Sequence, residues 1–304
     1  MELTRTLKCG EITQIGDPYV LRDRGKYYLY ATSSPYGFKV WESPDLAAWQ
    51  ERGLALDARE EGNQWGVGDF WAPEVTYYQG NYYMIYSARD RDGSLKLALA
   101  TATHPLGPFR NRKAPLFDRG KSFIDGHFFF DDDGKIYLYY VQDCSENIID
   151  GKHISQIFVQ EVSADLLTLL GEPVLAVEPS QPWEGIDRDW QWNEGPFVLK
   201  DRGVYYLMYS ANCYASSDYA IGYAVATSPL GPWQKADGNP LLAKDLAAGF
   251  SGPGHNCVTR SPDGSLLIVY HTHTNPEQPS GDRKVNIDRL VIENGQLKVV
   301  RVMK

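Results

Sequence analysis

A phrase of 18 residues recurs five times along this chain, and it is the feature that most limits the fold. Each copy has a short apolar strand pattern, a polar turn that contains glycine, and a second, alternating strand pattern. Two strand patterns joined by such a turn indicate a β-hairpin. The copies begin at Asp17, Trp71, Asp125, Glu194 and His255, as "DPYVLRDRGKYYLYATSS", "WAPEVTYYQGNYYMIYSA", "DGHFFFDDDGKIYLYYVQ", "EGPFVLKDRGVYYLMYSA" and "HNCVTRSPDGSLLIVYHT".

The spacing of the hairpins predicts one large all-β domain. Their second strands are separated by 55, 54, 69 and 61 residues, a period typical of propeller blades. Between hairpins, "LALATATHPLGPF" and "IGYAVATSPLGPW" are near copies that predict a third strand, a Pro/Gly turn and an outer strand. The chain lacks a long amphipathic helical pattern and a Ser/Gly-rich linker. We therefore predict a five-bladed β-propeller with four antiparallel strands per blade, as one domain over residues 1–304.

Composition narrows the partners and the location. The formal net charge of -9 disfavours nucleic acid and anionic membrane surfaces, which bind clusters of Lys and Arg. No run of about 18 apolar residues is present. The four cysteines are scattered without CxxC spacing, and "MELTRTLKCG" has no apolar secretory core, so we predict a reduced, cytoplasmic protein. A secreted protein without its signal peptide would look the same.

The hairpin starts carry three acids. In a propeller the first strand of each blade lines a central channel, so the residues that begin the five copies are expected to converge. One acid at a strand start is ordinarily a turn cap or a solvated edge. Three acids around one axis repel one another, and such clusters are how catalytic carboxyl groups acquire separated pKa values. The pattern favours an active site built on Asp17, Asp125 and Glu194.

The motifs around these acids resemble glycoside hydrolase family 43 over nearly the whole chain. They are "DPYV", "WAPE", "IDGH", "NEGPF" and "GPGHN". The resemblance implies a five-bladed propeller in which Asp17 is the general base, Asp125 orients and tunes the acid, and Glu194 is the general acid. It also implies an inverting enzyme that acts on pentose-rich plant polysaccharides.

Such chemistry needs two carboxyl groups in different states. One protonated carboxyl group protonates the leaving oxygen, and one carboxylate activates water on the opposite face of the sugar. We predict an exo-acting β-xylosidase or α-L-arabinofuranosidase, with one pocket accepting both sugars, that acts on xylo- or arabino-oligosaccharides. The alternatives are an endo-arabinanase of the same family and a sugar-binding propeller lectin. Five-bladed fructan-processing enzymes are disfavoured because their sequence signatures are absent.

Four further residues are candidates for substrate binding. Trp71 could stack on a sugar ring or pack in the core. Trp190 and Trp192 precede Glu194 in an insertion, where they could line the leaving-group side or pack beneath a loop. The resemblance places Arg283 where it reaches the sugar or the acids, against the alternative of an exposed salt bridge.

The histidines are interpreted separately. The resemblance implies that His255 helps to hold a calcium ion in the central channel, with water completing the coordination, whereas its plainer interpretation is a hydrogen-bonded core histidine. His127, His271 and His273 lie within strand patterns and are interpreted as structural. The acidic run at 131–133 lacks the remaining ligand spacing of a calcium loop and is predicted to be a hairpin turn.

Overall fold

The computed structural model describes residues 6–301, and this part of the chain confirms the all-β prediction. Its helical segments are three short 3₁₀ turns at Cys9–Glu11, Pro182–Glu184 and Leu246–Ala248. Within the described range, no helix has the length and apolar character needed to cross a membrane. Residues 1–5 and 302–304 of the predicted domain lie outside the described residues.

Five antiparallel sheets follow one another along the chain, and each contains one of the repeated hairpins. The first sheet has the order β1-β5-β4-β3-β2, with strands β1 Thr6–Leu7, β2 Gly16–Asp23, β3 Lys26–Thr32, β4 Gly37–Ser43 and β5 Trp49–Asp57. The second has strands β6 Gly68–Tyr78, β7 Asn81–Arg89, β8 Leu95–Ala102 and β9 Arg110–Lys113.

The third sheet has the order β10-β11-β14-β15, because a small separate sheet interrupts it in sequence. Its strands are β10 Phe123–Phe130, β11 Ile136–Gln142, β14 Gln156–Val162 and β15 Leu169–Val177. The small sheet consists of β12 Ile148–Ile149, β13 Lys152–Ile154 and β16 Trp190–Gln191.

The last two sheets each contain four consecutive strands. The fourth has β17 Asn193–Asp201, β18 Val204–Ala211, β19 Ala220–Ala226 and β20 Gln234–Lys235. The fifth has β21 Gly254–Arg260, β22 Leu266–His273, β23 Arg283–Glu293 and β24 Gln296–Val300. Apolar side chains fill the spaces between neighbouring sheets, as where Phe38 of the first packs edge-on against Tyr86 of the second at 5.2 Å between ring centroids.

Each first strand is interrupted by a β-bulge at the same place, where two residues lie outside the pairing with the second strand. The first bulge residue has a positive φ in every case: Asp17 (54°), Ala72 (47°), Asp125 (53°), Gly195 (59°) and His255 (48°).

The bulges correct the alignment of the repeats made from the sequence. Trp71 and Glu194 lie one residue before the bulge, so the structural equivalents of Asp17 are Ala72 and Gly195. The hairpin turns of the third and fifth sheets contain one more residue than those of the other sheets. A fixed count back from the second strand reaches the bulge residue in those two sheets. In the second and fourth sheets the same count reaches Trp71 and Glu194, one residue before the bulge.

Hydrogen bonds from the bulges link the five sheets in a closed cycle. Four bulge N–H groups donate to a side chain on the second strand of the preceding sheet: Ala72 to Thr32 Oγ1 (2.9 Å), Asp125 to Ser87 Oγ (3.0 Å), His255 to Ser210 Oγ (2.7 Å) and Asp17 to His271 Nδ1 (3.1 Å). The corresponding residue of the third sheet is Val141, which offers no acceptor. The N–H of Gly195 instead donates to Asp125 Oδ2 at 3.0 Å. The cycle holds all five bulges close together.

Candidate active site

A cavity of about 290 Å³ lies beside the bulges, and its size falls near the lower end of the range for small-molecule sites. Seven of the eight candidate residues named from the sequence line it, namely Asp17, Trp71, Asp125, Trp192, Glu194, His255 and Arg283, whereas Trp190 does not. The fold therefore brings together side chains that are up to 266 positions apart.

Asp17 is surrounded by hydrogen-bond donors and positive charge. Thr32 Oγ1 donates to Asp17 Oδ2 at 2.6 Å, and Arg283 Nη1 donates to Asp17 Oδ1 at 3.0 Å. The Nδ1 atoms of His255 and His271 lie 3.4 and 3.7 Å from Oδ1. Burial alone would raise the pKa of Asp17, but the Arg283 guanidinium and these neighbours hold that pKa well below its ordinary value of 3.8. Asp17 is therefore ionised at neutral pH.

Glu194 has the opposite environment. Its carboxyl group reaches the cavity from within the protein, and the Tyr219 hydroxyl donates to Oε1 at 2.8 Å. Burial, and then the charge of Asp125, raise the pKa of Glu194 well above its ordinary value of 4.5, and the hydrogen bond from Tyr219 opposes them only in part. Glu194 can therefore hold a proton at a pH where Asp17 cannot.

Asp125 lines the same cavity as these two groups. The same carboxylate oxygen that accepts the Gly195 N–H lies 3.9 Å from His255 Nδ1. Burial raises the pKa of Asp125 to about 6, although His255 works against the shift. At neutral pH an ionised Asp125 thus lies next to Glu194 and disfavours its ionisation. The apolar Val141 explains this placement, because it leaves the Gly195 N–H for Asp125 to accept.

Arg283 is buried rather than part of an exposed salt bridge. The residue is 7% exposed, and its guanidinium carbon lies 4.8 Å from the centre of the Tyr214 ring, within the range of a cation–π contact. Gly16 makes its approach to Asp17 possible, since a Cβ on Gly16 would lie 1.9 Å from Arg283 Nη2. The guanidinium is held between the carboxylate and the aromatic ring.

Trp71 and Trp192 are both partly exposed at the cavity. Trp71 pairs with Ser87 just before its bulge and also packs against the apolar core between sheets. Trp192 lies between β16 and β17, two residues before Glu194. Each therefore presents part of an indole ring to the cavity.

His255 points its Nδ1 atom at the carboxylates of Asp17 and Asp125. Within residues 6–301, no group of three or more His, Cys, Asp or Glu side chains is arranged to hold a metal ion. The donors near His255 therefore fit a calcium ion only if water supplies most of its ligands, because calcium prefers six to eight oxygen ligands.

Sequence reasoning did not single out several residues of this site. Asp143 also lines the cavity, and Tyr219 donates to Glu194. His271, interpreted as structural, accepts the Asp17 N–H and stacks on Tyr219 with an interplanar angle of 4°. Asp143 directly follows the second strand of the third hairpin, at the end where the bulges lie, and that position was the available signal. No sequence pattern identifies Tyr219.

A glycoside hydrolase needs one ionised and one protonated carboxyl group at the cavity that binds the sugar. The family model described as "Glycosyl hydrolases family 43" matches residues 12–297. The chain therefore belongs to glycoside hydrolase family 43, as the motifs predicted.

Known proteins resemble the chain over most of its length. A solved structure described as a thermostable family-43 glycoside hydrolase is 66% identical, with a TM-score of 0.95 over 97% of this chain and 96% of that one. The β-D-galactofuranosidase xynD of Aspergillus niger is 29% identical over 94% of this chain and 82% of its own length. The α-L-arabinofuranosidase 43 of Humicola insolens is 27% identical over 96% of this chain.

The chain spans only part of several of these relatives. It covers 60% of the Humicola enzyme and 48% of a xylosidase/arabinosidase of Butyrivibrio fibrisolvens. Other relatives are named as a β-xylosidase and as an endo-α-(1->5)-L-arabinanase. The names therefore share the glycosidic chemistry and differ in the sugar and the mode of cleavage.

Proposed function

We propose that this protein is an exo-acting, inverting glycoside hydrolase that releases terminal β-D-xylose or α-L-arabinofuranose from short hemicellulose-derived oligosaccharides. The observation that carries the proposal is the contrast between two carboxyl groups at one cavity. Asp17 is paired with a buried guanidinium, whereas Glu194 has a hydroxyl donor and a neighbouring carboxylate. This contrast supplies the base and the acid that glycoside cleavage requires.

In the proposed mechanism, Glu194 donates its proton to the glycosidic oxygen as the bond from the sugar C1 to that oxygen breaks. Asp17 accepts a proton from a water molecule, whose oxygen forms the new bond to C1 on the opposite face. Asp125 keeps Glu194 protonated before the step, and Arg283 keeps Asp17 ionised and oriented. Trp71 and Trp192 provide the aromatic surfaces on which the sugar rings lie.

The proposal of terminal pentoses rests on the cavity and on the relatives. A cavity of about 290 Å³ suits a small number of sugar units better than the middle of a polymer. The similar proteins include named arabinofuranosidases and xylosidases. The two pentoses can present overlapping hydroxyl positions, so one pocket can accept both.

We also propose that the five sheets form a five-bladed β-propeller as one domain. The closed cycle of hydrogen bonds from the bulges and the apolar packing between neighbouring sheets support this arrangement. The cytoplasmic location stays a prediction from the sequence.

The function is tested with a panel of aryl pentosides and short xylo- and arabino-oligosaccharides. We expect turnover of a β-D-xyloside or an α-L-arabinofuranoside, release of single pentoses, and a first-formed sugar of inverted anomeric configuration by proton NMR. Because Asp17 activates water directly, no covalent sugar intermediate restores the original configuration.

Other outcomes identify the alternatives. Retention of configuration would contradict the direct displacement by water. Rapid loss of viscosity in polymeric arabinan would indicate the endo-arabinanase, and binding of pentosides without turnover by the intact protein would indicate the lectin.

The calcium ion is proposed with His255 and water as its ligands. We expect a chelator to lower the thermal midpoint and calcium to restore it, because a cation near clustered carboxylates relieves their repulsion. His255→Ala should abolish that response in the same melting experiment. If neither treatment changes the thermal midpoint of the wild-type protein, His255 is a hydrogen-bonded residue without a metal.

A further inference from the structure

The small sheet formed by β12, β13 and β16 lies outside the five main sheets and carries a row of three aromatic rings. The imidazole of His153 lies on the indole of Trp190 with a centroid distance of 3.8 Å and an interplanar angle of 2°. The indoles of Trp190 and Trp192 are 6.1 Å apart at an angle of 24°. Trp192 lines the active-site cavity, so the row runs from that cavity outward.

His153 fixes this row to the cavity wall. It pairs with Trp190 in the parallel ladder between β13 and β16, and its N–H donates to the carbonyl of Asp189 at 2.8 Å. The ring Nδ1 of His153 lies 2.9 Å from the carbonyl oxygen of Cys144, the neighbour of the cavity residue Asp143. The imidazole therefore joins the two segments that line this side of the cavity.

Trp190 keeps an open aromatic surface although His153 covers one of its faces. The residue is 43% exposed even with the rings of His153 and Trp192 against it. A large aromatic surface therefore faces solvent directly beside Trp192, which lines the cavity. Sugar rings stack on such surfaces through their apolar C–H faces.

We propose that Trp192 and Trp190 form an extended leaving-group subsite, in which Trp192 contacts the first sugar beyond the cleaved bond and Trp190 the second. His153 is a positioning residue that backs Trp190. This inference rests on the proposed function and specifies its substrate as linear pentose oligosaccharides of at least three units.

The direction of the subsite follows from Glu194. The general acid must lie on the leaving-group side, since it protonates the oxygen of the departing sugar. Trp192 lies two residues before Glu194 in the chain, and Trp190 two residues before that, on the segment that leads away from the cavity. A sugar chain that places its glycosidic oxygen at Glu194 therefore continues across Trp192 toward Trp190.

The test measures kcat/KM for a matched series of di-, tri- and tetrasaccharides of whichever pentose the protein hydrolyses. We expect the wild type to gain about tenfold from the disaccharide to the trisaccharide, the factor produced by roughly 1.4 kcal/mol of added binding. The tetrasaccharide should add little, because Trp190 is the last indole of the row. The readout is the ratio of kcat/KM for trisaccharide over disaccharide within each variant, so a general loss of activity does not affect it.

In Trp190→Ala this ratio should fall close to one, and Trp190→Phe should retain part of the gain because it keeps an aromatic surface. His153→Ala should lower the ratio less than Trp190→Ala does. The matched control is Tyr77→Ala, which removes an aromatic residue of similar exposure (46%) that does not line the cavity and should keep the wild-type ratio.

The outcomes separate this inference from the proposed function. A wild type that hydrolyses none of the pentosides would overturn the function itself. A wild type that hydrolyses di- and trisaccharides equally well, or a Trp190→Ala variant with the full gain, would overturn the subsite alone. A Trp190→Phe variant that loses the gain while keeping the wild-type thermal midpoint would count against the role of an aromatic surface.

Discussion

Glu194→Ala is expected to reduce hydrolysis of natural oligosaccharides by about 10²–10⁴-fold, the usual contribution of general acid catalysis. Hydrolysis of an aryl pentoside with a good leaving group should fall far less, because such a leaving group departs with little protonation. The structure supports this difference, since Glu194 is the carboxyl group whose burial and neighbour Asp125 favour the protonated form. The measurement compares kcat/KM for both substrate types in the wild type and the variant.

The matched control is Glu172→Ala, which removes an exposed glutamate of β15 outside the cavity and should change neither rate. The pH profile gives an independent check. Activity that needs a protonated Glu194 declines as the pH rises through its pKa, so the alkaline limb should disappear from the aryl-pentoside profile of Glu194→Ala. Equal losses on both substrates, with the alkaline limb intact, would remove Glu194 as the acid.

The hairpins and the acids were readable from the sequence because each depends on local chemistry. A two-stranded hairpin is specified by alternation and by its turn, and turn glycines such as Gly25 and Gly203 adopt the same φ of 83°. Asp17, Asp125 and Glu194 could be placed together because a repeated unit brings its equivalent positions, and the residues next to them, together.

The exact equivalence of the repeats was not readable, because it depends on the bulge and not on the turn. Ala72 and Gly195 occupy the bulge position in their sheets, yet neither has a side chain that marks it. Glycine is favoured at position 195 for a tertiary reason, since a Cβ would lie only 3.0 Å from His255 Nδ1. Contacts between residues 60 positions apart leave no local pattern.

Tyr219 and Val141 are two further residues whose roles could not be predicted from the sequence. Tyr219 is one of 20 tyrosines, and only the fold places its hydroxyl on Glu194. Val141 matters because it has no hydroxyl group. The serine or threonine found at this position in three of the other sheets would accept the Gly195 N–H in place of Asp125. The electrostatic pairing of Asp125 with Glu194 thus depends on an apolar residue that sequence reasoning treats as ordinary core.

Asp17→Asn is expected to abolish most activity on oligosaccharides and aryl pentosides alike. The amide keeps the shape of the side chain but cannot accept a proton from water, and a good leaving group does not replace that step. We expect losses of about 10²–10⁴-fold in kcat on both substrates. This symmetric loss is the opposite of the pattern expected for Glu194→Ala, so the pair of variants assigns the two roles.

Asp17→Asn also removes the charged partner of a buried arginine, so its effect on folding must be separated from its effect on chemistry. The Arg283 side chain is 8% exposed, and breaking a buried ion pair costs about 3–5 kcal/mol of stability, whereas replacing both partners by uncharged groups costs much less. The double variant Asp17→Asn/Arg283→Met should therefore regain much of the lost thermal midpoint while staying inactive on both substrates.

Because the pKa of Asp17 is lowered in the folded protein, its stabilising contribution is complete above the ordinary carboxyl pKa of 3.8 and is lost as the pH falls through the lower folded value. The midpoint difference between wild type and Asp17→Asn should accordingly be constant from about pH 5 to 8 and shrink in more acidic buffer. If Asp17→Asn keeps aryl-pentoside turnover within about tenfold of wild type, or if the double variant recovers activity together with stability, the carboxylate acts by holding the fold and another group activates the water.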